Sequence, residues 1–318
     1  MKSRAVRFFQ GCLMTFFAAL VAIIVLVVSF RMAGAPDHDP RSAQLEQSFP
    51  GLTPSQLAAE GLTTGGGGLR DRPVRVNVRL EEGEFILKPG PPGSGVRVEG
   101  DYDAGVYDLK QDLTRDDDGT PVYTLSFRPR YTMLSRILRQ GFVHIEHGTN
   151  RMTVTLPRDL PMALNVRVSK GESHIELGGL ALTAASLDMS MGDHNVSAGE
   201  PNPLEMEQFE IRGAMGEVSL TELGNLRSGK ITAWGKMGEF HLDMGERIER
   251  DTTLTANMRM GELTLGLPVN ARLEIHKRIF LGDSEDTPTQ DGPADPNNAF
   301  ALTVDAGTTL GDLTFSTR

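Results

Sequence analysis

The chain has 318 residues, 32 basic and 42 acidic side chains, a net charge of −10 and one cysteine. With only 6% aromatic residues, that acidic balance excludes a basic, aromatic-lined nucleic-acid platform, so no nucleic-acid partner is expected. A single cysteine excludes an internal disulfide framework and any cysteine-rich zinc site.

The charge is unevenly placed. Residues 1–31 carry Lys2, Arg4, Arg7 and Arg31 and no acid, a sum of +4, which leaves −14 (−10 − 4) for the rest. Phe8 to Phe30 are 23 uncharged residues. As a helix they would span about 35 Å, enough for a hydrocarbon core of about 30 Å. The basic residues before the run place the N-terminus in the cytoplasm and the body outside. The run exceeds the ~7–15 apolar residues of a cleavable signal. Pro36 directly follows the small residues Ala33-Gly34-Ala35 and disfavours cleavage there, so residues 1–31 are expected to stay as a transmembrane anchor. Cys12 precedes the most apolar part and reads as packing.

Residues 32–72 are polar and broken, and predict a flexible linker. Within it, Thr53-Pro54-Ser55-Gln56 reads as a helix start with a capping box, and Gly61 ends a short helix near 53–60. A coil of ~40 residues reaches about 35 Å, so it works as a tether. From Val74 onward apolar and polar residues alternate, as in VRVNVRL, VYTLSF and RMTVTLP, which predicts strands. The exception is 131–141, YTMLSRILRQG, where Met133, Leu134, Ile137 and Leu138 recur at helical spacing.

A short motif then repeats: one residue, Gly, an acid, and alternating apolar positions. It reads KGESHIEL, MGDHNVS, MGEVSL, MGEFHL, MGELTL and LGDLTF, with glycines at 171, 192, 216, 238, 261 and 311. Successive steps are 21, 24, 22, 23 and 50 residues. The long step contains Gly282-Asp283, where the motif starts but runs into an acidic insertion, 282–298, in place of a strand. A further copy, EGEFIL, has Gly83 lying 88 residues before Gly171, or four periods of 22. Such steps describe an all-β, single-layer parallel β-solenoid over 73–318, one coil per copy. Residues two and four after each glycine should point inward: Val218 and Leu220, Phe240 and Leu242, Leu263 and Leu265, Leu313 and Phe315. A second inward column lies seven before: Phe209, Ile231, Leu254 and Val304.

VEGDYDAGVYDL followed by YTLSF, TVTLPRDLPMALNV, and the repeated MGE motif resemble the bacterial toast-rack domains, a family also labelled adhesins. The resemblance spans Val74 to Arg318. It implies a right-handed extracytoplasmic β-solenoid and brings no catalytic residues. The body is therefore expected in the periplasm or outside the cell, held by a single pass through the bacterial inner membrane.

The residue after each glycine is acidic: Glu84, Glu172, Asp193, Glu217, Glu239, Glu262 and Asp312. Stacked coils would align them, and two carboxylates about 5 Å apart repel by roughly 0.8 kcal/mol in water. Such a ladder can hold Ca²⁺ through adjacent oxygens, the one cofactor considered. It reads more simply as hydrated turn residues screened by Lys236 and Arg259. His174 and His241 lie three coils apart, too far to share a metal; His144 and His147 fall on opposite strand faces; His194 takes an inward slot. The methionines before the glycines, Met191, Met215, Met237 and Met260, read as core filler rather than soft-metal ligands. No catalytic constellation is legible.

These features predict a non-catalytic binding, scaffolding or envelope-sensing module. The alternatives are a carbohydrate-active β-helix enzyme and a calcium-dependent adhesin. The final motif ends at Phe315, so the last coil is expected to lie open and to meet a protein partner or a second copy.

Overall fold

The structure, a computed structural model, describes residues 47–49, 73–130, 150–286 and 300–317. The expected membrane segment, the short helix near 53–60, the stretch 131–141 and most of the 282–298 insertion lie outside the described residues. Among the described residues no helix is long and apolar enough to cross a membrane.

The described chain is all-β. Its strands are β1 (Gln47–Phe49), β2 (Val74–Pro89), β3 (Val96–Asp101), β4 (Tyr107–Arg115), β5 (Pro121–Pro129), β6 (Arg151–Leu156), β7 (Met162–Glu176), β8 (Leu182–Ser197), β9 (Gln208–Thr221), β10 (Lys230–Asp243), β11 (Thr252–Leu267), β12 (Arg272–Leu281), β13 (Ser284–Asp286), β14 (Ala301–Leu310) and β15 (Leu313–Thr317). All belong to one sheet. β7 to β11 pair in parallel and in register, so that Gly192 meets Gly216, Gly216 meets Gly238, and Gly238 meets Gly261.

Each of these long strands passes through its repeat glycine with φ between 121° and 129°. A second constraint acts there. A Cβ on Gly192, Gly216, Gly238 or Gly261 would lie 1.9–2.0 Å from the carbonyl oxygen of the preceding glycine in the column. The coils can stack at strand spacing only if that position carries no side chain.

The inward columns are as the alternation predicts. Val218, Leu220, Phe240, Leu242, Leu263, Leu265, Leu313 and Phe315 are buried, and so are Phe209, Ile231, Leu254 and Val304. The return legs between strands add Leu177, Leu180, Leu223, Leu226, Met244 and Ile248 to the same core. Asparagines tie these legs together. Buried Asn202 accepts from the Leu182 and Leu204 N–H groups through Oδ1 and donates to the Leu182 and Leu226 carbonyls, joining three coils. Asn270 exchanges two hydrogen bonds with the Ile248 backbone. Satisfying loop backbone this way is what allows the return legs to be buried.

Three expectations are corrected. The 88 residues between Gly83 and Gly171 do not form intervening coils, because β2 pairs directly with β7, Gly83 against Gly171. The intervening chain builds the opposite side: β5 pairs with the first limb of β2 and β6 with the second, completing one split coil. The tight turn at Asp116–Thr120, with Gly119 at φ 81°, folds β4 back antiparallel on β5. Antiparallel β3 covers β6, and β1 covers β3. This end is capped. Beneath the cap Phe127 stacks on Tyr107 with ring centroids 4.9 Å apart and meets Tyr102 and Phe85 edge-on.

The second correction concerns order. The last coil in sequence, β14 and β15, sits between β11 and β12 rather than at the end. The Gly282 copy is the outermost coil, and Ser284–Asp286 forms a strand on β15 where a loop was expected. Inward positions explain the exchange. β14 and β15 present Leu302, Val304, Ala306, Leu313 and Phe315, all buried. The registered positions of β12 and β13 include Lys277 against Ala306 and Ser284 against Leu313. The coil with a partly polar inner face takes the place that, among the described residues, has a neighbour on one side only. The third correction is that Met191, Met215, Met237 and Met260 are exposed rather than core.

Candidate functional site

Parity breaks at the corner, so the residues on both sides of each glycine point outward. On the following side the acidic row is assembled as the repeat predicts. Glu84 registers with Glu172, Asp193 with Glu217, Glu217 with Glu239 and Glu239 with Glu262; Leu263 against Leu313 brings Asp312 next in line. Glu84 forms an ion pair with Arg151 at 2.6 Å. Thr264 donates to Glu262 at 3.1 Å, and Asp312 accepts from the Asp283 N–H at 3.0 Å. Among the described residues no three His, Cys, Asp or Glu side chains gather into a set able to hold a metal ion.

On the preceding side runs an apolar row. It begins after the Lys170–Glu82 ion pair and continues Met191, Met215, Met237, Met260, Leu310, Leu281, each in register with the next and each 41–56% exposed. The sequence repeat revealed the row but not its direction, because strict alternation from the buried position three before the glycine would also point it inward.

Histidines form no ligand set. His174 and His241 lie three strands apart, separated by Asn195 and Ser219. His194 is buried, with its Nδ1 2.9 Å from Ser173 Oγ; among the described residues its Nε2 has no partner. Burial pushes its pKa below the ordinary value, slightly opposed by Asp193. The neutral form is the one that fits, so His194 contributes stability that is present above the unfolded pKa of about 6.5 and lost as pH falls toward the folded value. Melting at pH 7.5 and pH 5 should show this loss. His194→Leu, which matches the apolar side chains of later coils, should flatten the profile over that window.

A feature that no motif revealed lies near the outermost coil. A groove of about 890 Å³ crosses β10, β11, β14 and β12 on the outer face of their first limbs. Register places Trp234 beside Asn257, Asn257 beside Gly307, and Gly307 beside Arg278. Trp234 is 47% exposed and Phe280 78%. Lys236, Arg259 and Arg278 also line the groove, and among the described residues no acid does. Among the described residues Lys236 and Arg259 form no ion pair with the carboxylate row. Composition concealed this cluster because an excess of acids elsewhere outweighs it.

Residues 74–221 match the family described as the N-terminal domain of toast_rack. The match begins on the first residue of β2 and ends on the last residue of β9. A solved structure from Clostridium sporogenes, a "putative cell adhesion protein", is similar with a TM-score of 0.40 and 10% identity, over 78% of this chain and 93% of that one. No curated protein matches. The matched segment, Val74–Thr221, coincides with β2 to β9, so this part of the glycine-cornered stack is similar to the N-terminal toast-rack domain.

Proposed function

We propose that the protein is a non-catalytic, membrane-anchored extracytoplasmic binding or scaffolding module. Phe8–Phe30 crosses the bacterial inner membrane and the 32–72 tether presents right-handed coils on the far side. The match of residues 74–221 to the N-terminal toast-rack domain supports this reading, and the basic-then-apolar start of the sequence sets its orientation.

The observation that carries it is the inequality of the two ends. The β2 end is covered by antiparallel strands, whereas β12 pairs with β14 alone among the described residues. An edge strand that no other described strand covers, with Phe280 and Leu281 exposed, is a template for strand addition. The contact surface is therefore the Gly282 coil, and its simplest occupant is the same edge of a second copy related by a two-fold axis. Sedimentation of residues 73–318 across a concentration series should show a reversible dimer. A strict monomer at the highest concentration counts against this. Melting the same sample with calcium and with chelator tests the carboxylate row: an upward shift with calcium would favour a calcium-dependent adhesin.

A further inference from the structure

We infer that the groove between Trp234 and Phe280 is a binding site for an anionic glycan, a chain of sugar rings bearing carboxylate or phosphate groups. This deepens the extracytoplasmic binding reading and rests on it for location. It does not depend on the end-to-end contact. The groove also lies in β10 to β14, beyond the segment matched to the toast-rack domain.

Four features converge. First, the floor is low: Gly307 has no side chain, flanked by Asn257 and with Thr309 beyond it, while Trp234 on β10 and Phe280 on β12 stand three strands and two residues apart, about 16 Å on the diagonal. That is a trough between two aromatic walls. Second, charge is concentrated against the trend of the molecule. Lys236 and Arg259 occupy equivalent positions on adjacent coils, Arg278 lies two strands on from Arg259, and among the described residues none of the three forms an ion pair. Guanidinium groups recognise carboxylate and phosphate through paired hydrogen bonds. Third, the chain's one tryptophan is placed outward at the groove wall, 47% exposed. An exposed indole beside cations suits a ligand with an apolar ring face and an anionic edge, which describes an acidic sugar. Fourth, among the described residues no acid lines the groove, so none of them repels a polyanion there. The carboxylate row, set on the other side of the corner, excludes that polyanion from the neighbouring surface and confines it to the trough.

Because Trp234 is the only tryptophan, tryptophan fluorescence excited selectively over the four tyrosines reports on this site alone. The full chain in detergent is titrated with neutral dextran, carboxymethyl dextran and phosphodextran, and with polyphosphate and single-stranded DNA as sugar-free or nucleic-acid polyanions. The expected result is a saturable Trp234 change with one or both charged dextrans and none with neutral dextran, weakening as salt rises. The two charged dextrans show which anionic group is preferred. Calorimetry on K236E/R259E should show affinity for the preferred dextran falling about tenfold or more. W234A should also weaken it while leaving the melting temperature unchanged, since the indole points out of the core. Tighter binding of polyphosphate or DNA than of either charged dextran would overturn the glycan assignment. So would no binding of any polyanion, or binding unaffected by both variants. A dimer still seen in sedimentation would then leave the module reading standing, whereas loss of the dimer with glycan binding intact would sink only the edge contact.

Discussion

Gly238→Ala is expected to destabilise the domain by several kcal/mol, and to prevent folding outright if the margin is ordinary. Two effects act together. The backbone at Gly238 has φ 122°, a conformation that costs a residue with a Cβ on the order of 1–3 kcal/mol. The new Cβ would also lie 2.0 Å from the Gly216 carbonyl oxygen, an overlap that no rotamer can relieve because both atoms are fixed to backbone. Relief requires the β9–β10 ladder to part at the corner. Gly93→Ala is the control: its φ is also positive, at 74°, but nothing lies within 4 Å of its Cβ, so only the conformational cost of about 1 kcal/mol should appear. Urea unfolding of both variants separates the effects. Equal losses would show that the glycine column serves backbone conformation alone and not close stacking.

Phe240→Ala should cost about 3–5 kcal/mol, among the largest losses available to a single side chain here. The reason is specific to three coils. Phe240 is buried, and its ring fills space vacated by Gly213 on β9 and Gly235 on its own strand. A Cβ on Gly213 would come within 2.4 Å of the ring, and one on Gly235 within 3.0 Å of it and 2.2 Å of Met258 Sδ. Earlier coils carry Val168 and Met189 at the equivalent position, facing the smaller Ser173 and His194. Volume is thus exchanged between two inward columns. Gly213→Ala alone should cost about 1–3 kcal/mol by overpacking. Combined with Phe240→Leu it should cost less than the sum of the two single changes, by about 0.5 kcal/mol or more. Additive losses would mean that the ring does not occupy that space.

Much of the architecture is legible in one dimension because a parallel solenoid converts sequence period into spatial register. The Gly-acid signature located the corners, and alternation assigned Phe240, Leu242, Leu263 and Leu265 to the core. The carboxylate row followed from the same arithmetic. The methionine row did not, because the corner inserts an outward residue on each side of the glycine and breaks the alternation used to place it. The groove was invisible for a different reason. Trp234, Arg259, Gly307 and Arg278 belong to four strands, and only their registration creates the trough. His194 lay between: its inward slot could be counted from Gly192, but the unpartnered nitrogen could not.

The amino-acid sequence alone determined the coil as a unit, since a glycine at each corner and a period-two apolar pattern admit few other ways to bury the same faces. It also determined the basic, then apolar, then acidic layout along the chain. Only the tertiary structure decided which coils are neighbours. Gly83 meets Gly171 across 88 residues of chain, and the last coil in sequence slips inside the one before it. That choice belongs to the whole assembly, because an inner face is tested against what stacks on both of its sides. Leu313 and Phe315 gain from a neighbour above and below, whereas Lys277 is accommodated where one side remains open to water.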